Sequence, residues 1–170
     1  MSDVRLAMRC LLPMVAPAPL PTGVEVRGLA ASDVDELGQL MYDAYRHGVE
    51  DTGQSPGYHH AEAVKVLTGG YGDMIWDASL WATLNGRPAG ATVVVDWTEQ
   101  NETLLAFAVV GPAARGLGLG GSLIARSGQL LGAGGHADWA LAVVPDNPAK
   151  RLYERLGFRE FDPHAEEPTG

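Results

Sequence analysis

The sequence predicts an α+β domain, a sheet with helices on its faces, and three observations lead there. An unbroken apolar run, Leu104-Leu-Ala-Phe-Ala-Val-Val110, has the length of a buried strand and runs into a proline, a glycine-dense turn and helix-permissive sequence. The order recurs later: Asp138-Trp-Ala-Leu-Ala-Val-Val144 reads as a strand, Pro145-Asp-Asn-Pro148 as a turn and helix start, and 149–156 as a helix. Between 79 and 96, two strand-like runs flank Asn85-Gly86, the strongest short hairpin signal. With 170 residues, the chain is expected to be one domain with a substantial core.

The elements follow in order. Leu6, Met8, Cys10, Leu12 and Met14 alternate with Ala7, Arg9, Leu11 and Pro13, a period of two that predicts a strand over 4–12; the other reading is an unstructured leader. The prolines of 13–21 read as a tether, so 1–22 is expected as an extension, 23–162 as the domain and 163–170 as a polar tail. Val24–Leu29 is the first strand of the domain, and Ser32 an N-cap with acids behind it. Leu37, Leu40, Met41, Ala44 and Tyr45 then make an amphipathic stripe. A second helix is expected over His59–Leu67 and ends at Gly69-Gly-Tyr-Gly72. Strands at 79–85 and 88–96 form the hairpin, which Arg87-Pro88 threatens to lengthen. After the 104–110 strand, Leu123, Ser127 and Leu130/Leu131 fall at helical spacing. Ala149, Leu152 and Leu156 make the buried stripe of the last helix, Gly157 its left-handed stop, and Phe158–Phe161 a closing strand. The order is β-α-α-β-β-β-α-β-α-β, with the extension strand ahead of it.

The turn between 111 and 121 carries the chemistry. Glycines at 116, 118, 120 and 121 allow positive φ and close ligand approach, and a helix N-terminus behind them offers unpaired N–H groups to a phosphate. A triphosphate loop needs Lys-Ser/Thr after its last glycine, where Gly121-Ser122 stands. The dinucleotide fingerprint needs two residues between its second and third glycines, and Gly116-Leu-Gly-Leu-Gly has one throughout. What fits is Val110-x-Pro112-x-x-Arg115-x-x-Gly118-x-Gly120, which resembles the coenzyme A diphosphate loop of the GNAT superfamily of acetyl-CoA-dependent N-acetyltransferases. Leu152-Tyr-Glu-Arg-Leu-Gly-Phe158 resembles the last helix of the same superfamily, and the likeness covers about 24–161.

The resemblance implies a mixed, mostly antiparallel, twisted sheet with helices on both faces. It also implies acetyl transfer from acetyl-CoA, a co-substrate, directly to a primary amine, carried by a small cationic molecule or a peptide lysine. By resemblance Ala108, Val109 and Val110 offer backbone to the pantetheine arm, while Arg115, Gly116, Leu117, Gly118, Leu119, Gly120 and Gly121 hold the diphosphate. Tyr153 becomes the acid that protonates the departing sulfur. Asn147 stands six residues before the tyrosine where relatives place an asparagine at seven, so Asn147 or Asp146 meets the cofactor arm, or Asn147 is a plain N-cap. The base is the weak point: where relatives carry a glutamate, this chain has Leu104 or Leu141-Ala142, leaving Glu102 acting through a water as the expected base. His59, His60, Asp51 and Tyr58 are further candidates, although a helix-start or surface role is the expectation for the two histidines. No third ligand is spaced for zinc, and no metal is expected. A non-catalytic coenzyme A-binding module and a nucleotide-binding regulator remain as alternatives. A homodimer is common in the superfamily.

Charge narrows the classes. The chain has net charge −9, with 46% hydrophobic and 19% charged residues, and no apolar run of membrane-span length. Nine acids against Arg46 and Lys65 lie between 33 and 77, whereas six bases against four acids lie between 107 and 161. The second segment holds the loop for a polyanion; the first, if it forms the acceptor side, favours a cationic amine. Without a basic stripe, nucleic-acid binding is not expected. Residues 10–21 have the apolarity of a signal-peptide core, but four prolines and no small-residue cleavage pattern argue against one. The single cysteine, Cys10, reads as a packed small hydrophobe and fits a reducing cytoplasm.

Overall fold

The computed structural model describes residues 4–48 and 51–165; the start of the extension, Glu50 and the tail beyond 165 lie outside the described residues. The strands are β1 (Leu6–Leu11), β2 (Val24–Gly28), β3 (Asp73–Met74), β4 (Leu80–Leu84), β5 (Arg87–Trp97), β6 (Glu102–Val110), β7 (Asp138–Val143) and β8 (Arg159–Phe161). The helices are α1 (Val34–Tyr45), α2 (Pro56–Leu67), α3 (Leu119–Ala133) and α4 (Ala149–Arg155). One sheet runs β2-β4-β5-β6-β7-β1-β8, with β3 paired to β5. Every pairing is antiparallel except β6 with β7.

β5 is the spine. Its residues Ala89–Val95 are buried without interruption because helices cover both faces, which removes the alternation a one-faced strand would show. Ala91, Val93 and Val95 pack with Leu37, Met41, Val66 and Trp81 beneath α1 and α2. Val94 points the other way, into a cluster with Ile124, Leu131, Trp139 and Phe158. Buried hydroxyls on that face are paired: Thr92 Oγ1 lies 2.6 Å from Ser127 Oγ, and Ser79 Oγ accepts the Val94 N–H at 3.0 Å. Of the expected α3 stripe, Leu131 is buried and Leu130 is exposed.

The hairpin turn contains only Asn85 and Gly86, both at positive φ, and Leu84 pairs with Arg87. Arg87-Pro88 therefore lies in β5 rather than in the loop; the irregularity falls at Ala82/Thr83. The alternating amino-terminal stretch is β1, paired along its length with β7 and over three residues with β8. Met8 and Cys10 face the core, and burial raises the Cys10 thiol pKa, keeping it a neutral packing group.

Two helix starts differ from expectation. α1 begins after a 3-10 turn in which Asp33, not Ser32, accepts the Ala30 N–H at 2.8 Å, and the Arg27 guanidinium donates to both Asp33 oxygens at 2.8 Å. α2 begins at Pro56, with Ser55 Oγ accepting the Tyr58 N–H at 3.1 Å, so it starts earlier than the apolar stripe implied. The two helices cross where Gly38 lacks a Cβ: one added there would stand 2.8 Å from the His60 Cα.

The Arg27 guanidinium, then burial working against it and the Ala30 N–H, leave the Asp33 carboxyl below its usual pKa. A lowered folded-state pKa adds stability above the ordinary carboxylate pKa of ~3.9, lost as pH falls through the folded value. Asp33→Asn is expected to cost about 1–2 kcal/mol at neutral pH, held to that range because the Arg27 side chain is half exposed. Urea unfolding of both proteins at neutral and acid pH checks this, and the difference should shrink in acid.

Candidate active site

β6 and β7 run parallel and meet in register only at Leu104 and Ala140. β6 then continues to Val110 beside β5 alone, leaving one edge of Ala106–Val110 without a strand. The gap opens a cavity of about 1020 Å³ walled by 104–110 and by Leu141–Val143. Arg115, Gly116, Asn147, Pro148 and Tyr153 line it from the loops and α4, and Tyr45, Tyr58, His59, Glu62 and Tyr71 from α1, α2 and the turn after α2. A smaller apolar cavity of about 190 Å³ lies behind β6 against Gly120, Leu123 and Leu152. Ala108–Val110, Ala149 and Tyr153 line both spaces, so Tyr153 stands where the cleft passes between the strands.

The glycine turn divides its labour. Gly116 and Gly118 have φ of 77° and 76°, and a Cβ on either would meet nothing within 4 Å, so the turn presents open backbone. The first amide to find a helical partner is that of Ser122, to the Gly118 carbonyl at 3.1 Å, so the preceding N–H groups of α3 have no intrahelical acceptor. Gly120 and Gly121 serve packing instead: a Cβ there would stand 3.3 Å from Val110 and 3.1 Å from Leu152 respectively. The Leu119 side chain is buried and that of Leu117 is exposed, and neither residue lines the cavity. Arg115 donates to the Ala44 carbonyl at 2.9 Å, which ties the loop to α1 at the rim of the cavity.

Asn147 Oδ1 accepts the Ala149 N–H at 2.9 Å and so holds the start of α4, while the residue also lines the cavity. Asp146 is not among the lining residues. The Tyr153 ring packs edge-on against Phe158 at 6.1 Å.

Glu102 is placed otherwise than a base requires. It sits at the far end of β6, ion-paired to Arg9, and is absent from the cavity lining. That pair forms because β1 runs beside β7, a neighbour relation that local sequence does not carry. His59 and His60 separate. His60 is exposed and bonded to Asp35, whereas His59 is only 7% exposed and lines the cavity. Glu62 and Tyr71, which motif reading passed over, also line it, with the Tyr71 hydroxyl donating to Glu62. Burial, then the Glu62 carboxylate, push the Tyr71 pKa upward and keep it a neutral donor.

The acid-rich stretch does not translate into an acid-lined pocket. Asp43 is bonded to Gln39, Asp51 accepts the His47 and Gly53 N–H groups, and Asp73 is exposed on β3. Among the described residues Glu62 is the acid on the lining, with Arg5 and Arg115 as its bases. No group of three or more metal-ligating side chains is found among the described residues, and no helix there is long and apolar enough to cross a membrane.

No curated protein matches the chain in sequence. Solved structures do match in fold. A GCN5-related N-acetyltransferase from Sphaerobacter thermophilus is 19% identical with a TM-score of 0.71, over 94% of this chain and 50% of that one. Another from Kribbella flavida is 19% identical with a TM-score of 0.60, over 93% and 55%. AAC(6')-Iy, in complex with the bisubstrate analog CoA-S-monomethyl-acetylneamine, is 17% identical with a TM-score of 0.60, over 86% and 98%. The chain thus spans about half the length of the first two, and at these identities the fold is what is shared. The acetyltransferase (GNAT) domain model matches residues 76–160, half of the chain, from the turn before β4 to β8 and so across both walls of the cleft. The chain belongs to the GNAT family of acetyltransferases.

Proposed function

We propose that the chain moves an acetyl group from acetyl-CoA directly to a primary amine. The observation that carries this is the parting of β6 from β7 beside an open glycine turn, with Tyr153 between the two cavities. A molecule with an anionic diphosphate, a long polar arm and a terminal thioester suits those parts in sequence. The amides at the start of α3 and the Gly116–Gly118 backbone receive the diphosphate, and Arg115 adds charge at the rim. The unpaired edge of Ala106–Val110 offers N–H and carbonyl groups to the arm, so those side chains are apolar without cost. Donors at that edge also face the thioester oxygen, where negative charge grows as an amine attacks. The Tyr153 hydroxyl gives its proton to the departing sulfur. Asn147 keeps α4, and with it Tyr153, in place. The complex of AAC(6')-Iy with a bisubstrate analog supports coenzyme A and an amine sharing one cleft in this fold.

Thermal unfolding with added coenzyme A, ATP and NAD tests the binding half. Stabilisation by coenzyme A alone is expected, about 2.7 kcal/mol at a hundredfold excess over Kd. Stabilisation by ATP or NAD but not coenzyme A overturns the reading. Thiol release from acetyl-CoA with spermidine, a lysine peptide or neamine tests the transfer; binding without release against any of them marks a coenzyme A-binding module instead.

A further inference from the structure

Where α1 and α2 border the cavity, they enclose one imidazole in tyrosines. The His59 ring centroid lies 5.9 Å from Tyr42, 5.9 Å from Tyr45 in a stacked arrangement, and 5.3 Å from Tyr58. The crossing at Gly38 presses the helices together at the neighbouring residue, and His59 is left more than nine-tenths buried. Its Nδ1 is sealed from solvent and has no hydrogen-bond partner among the described residues. Nε2 is not among the sealed, unpartnered atoms and makes no hydrogen bond to the described residues, and His59 lines the cavity. A side chain kept for packing would serve this site better as phenylalanine or leucine, because an unpaired ring nitrogen costs stability among aromatic rings. The other groups with proton affinity nearby are committed: Glu62 to Tyr71, Asp51 to two backbone N–H groups, Glu102 to Arg9.

We propose that His59 is the proton acceptor of the transfer, its Nε2 taking the proton that the acceptor ammonium must lose before its nitrogen can attack. The inference rests on the acetyl-transfer reading above. The step balances. The ammonium gives one proton to Nε2, and its freed electron pair forms the C–N bond to the acetyl carbon. The C–S bond breaks with its pair on sulfur, and Tyr153 protonates the sulfur. The second proton shed by nitrogen restores Tyr153, while the first leaves His59 for solvent. Burial lowers the His59 pKa from its ordinary value, against the opposing pull of Asp51 and Glu62, so the imidazole is neutral and basic at neutral pH. The groups facing it are Tyr42 and Tyr45 from α1, Asp51 from the connection, Tyr58 and Glu62 from α2, and Arg5, Tyr71 and Arg115 around the cavity.

The test compares wild type with His59→Gln on whichever amine of the panel is acetylated, and on methoxyamine, which is already uncharged at neutral pH. His59→Gln is expected to lower kcat by about 100-fold with the ammonium acceptor, with KM little changed, and to lower it far less with methoxyamine. The acid limb of the wild-type pH profile, lying below the ordinary imidazole range because burial lowers the His59 pKa, should vanish in the variant, and added imidazole should restore part of the rate. A variant within about threefold of wild type, or one that keeps the acid limb, overturns the proposal. Unchanged stabilisation by coenzyme A shows that the variant is folded and the cofactor reading stands. If the variant does not fold, the wild-type profile decides alone: a kcat/KM that stays flat through the acid range overturns the base. A wild type stabilised by coenzyme A that acetylates no amine overturns the transfer reading and this proposal together.

Discussion

Tyr153→Phe is expected to lower kcat by about 100-fold or more while leaving KM for acetyl-CoA within a few-fold. The ring stays, so its edge-on contact with Phe158 and its place beside both cavities are kept. What goes is the hydroxyl, and with it, on the proposed mechanism, the proton for a sulfur that carries negative charge only as the C–S bond breaks. An interaction made late in the reaction acts on kcat rather than on ground-state binding. Steady-state kinetics with thiol detection reads the split, and coenzyme A-induced stabilisation controls for binding. A variant with unchanged kcat removes Tyr153 from the chemistry.

Gly118→Asp is expected to abolish most coenzyme A binding while the domain remains folded. The added side chain enters space where nothing stands within 4 Å, so the protein itself does not clash with it. The backbone at φ 76° is a conformation that aspartate and asparagine tolerate better than other residues, at about 1–2 kcal/mol over glycine. The aspartate carboxylate, however, would lie at the proposed diphosphate site, and like charges about 4 Å apart repel by roughly 4 kcal/mol at a surface-like dielectric. Gly118→Asn has the same shape without the charge. Isothermal titration should find the aspartate variant at least tenfold weaker than the asparagine variant, even after screening by salt. Equal affinities would show that the turn does not meet an anion.

Where the sequence signals are local, they carried through. The two-residue turn at Asn85-Gly86, the passage from Leu104–Val110 through the glycines into α3, and the stop of α4 before Gly157 each depend on neighbours in the chain. So does β1, whose alternation survives because Met8 and Cys10 face the core while Arg9 does not. β3 was illegible because two residues show no period, and Asp73–Met74 is set by β5 rather than by itself. α2 was read late because its apolar stripe begins after its true signal, Ser55 followed by Pro56. The largest misreading concerned His59 and Glu102. Burial of the histidine depends on how closely α1 and α2 approach, which Gly38 decides. The occupation of the glutamate depends on Arg9, 93 residues away. Counting acids along 33–77 misled for a related reason: Asp43, Asp51 and Asp73 share a segment with Glu62 but not its view of the cavity.

One wall of the cleft owes its position to a strand made well before it, β1. β7 scarcely touches β6 past Ala140, and its steady neighbour is β1, joined residue by residue from Leu6 opposite Val143 to Leu11 opposite Asp138. During synthesis β1 emerges long before either of its partners, β7 and β8, has been translated. The nascent chain therefore carries Met8 and Cys10 on an unmated apolar ribbon while everything from β2 to α3 leaves the ribosome. The cleft between β6 and β7 can take its shape only after β7 has been made and has joined β1.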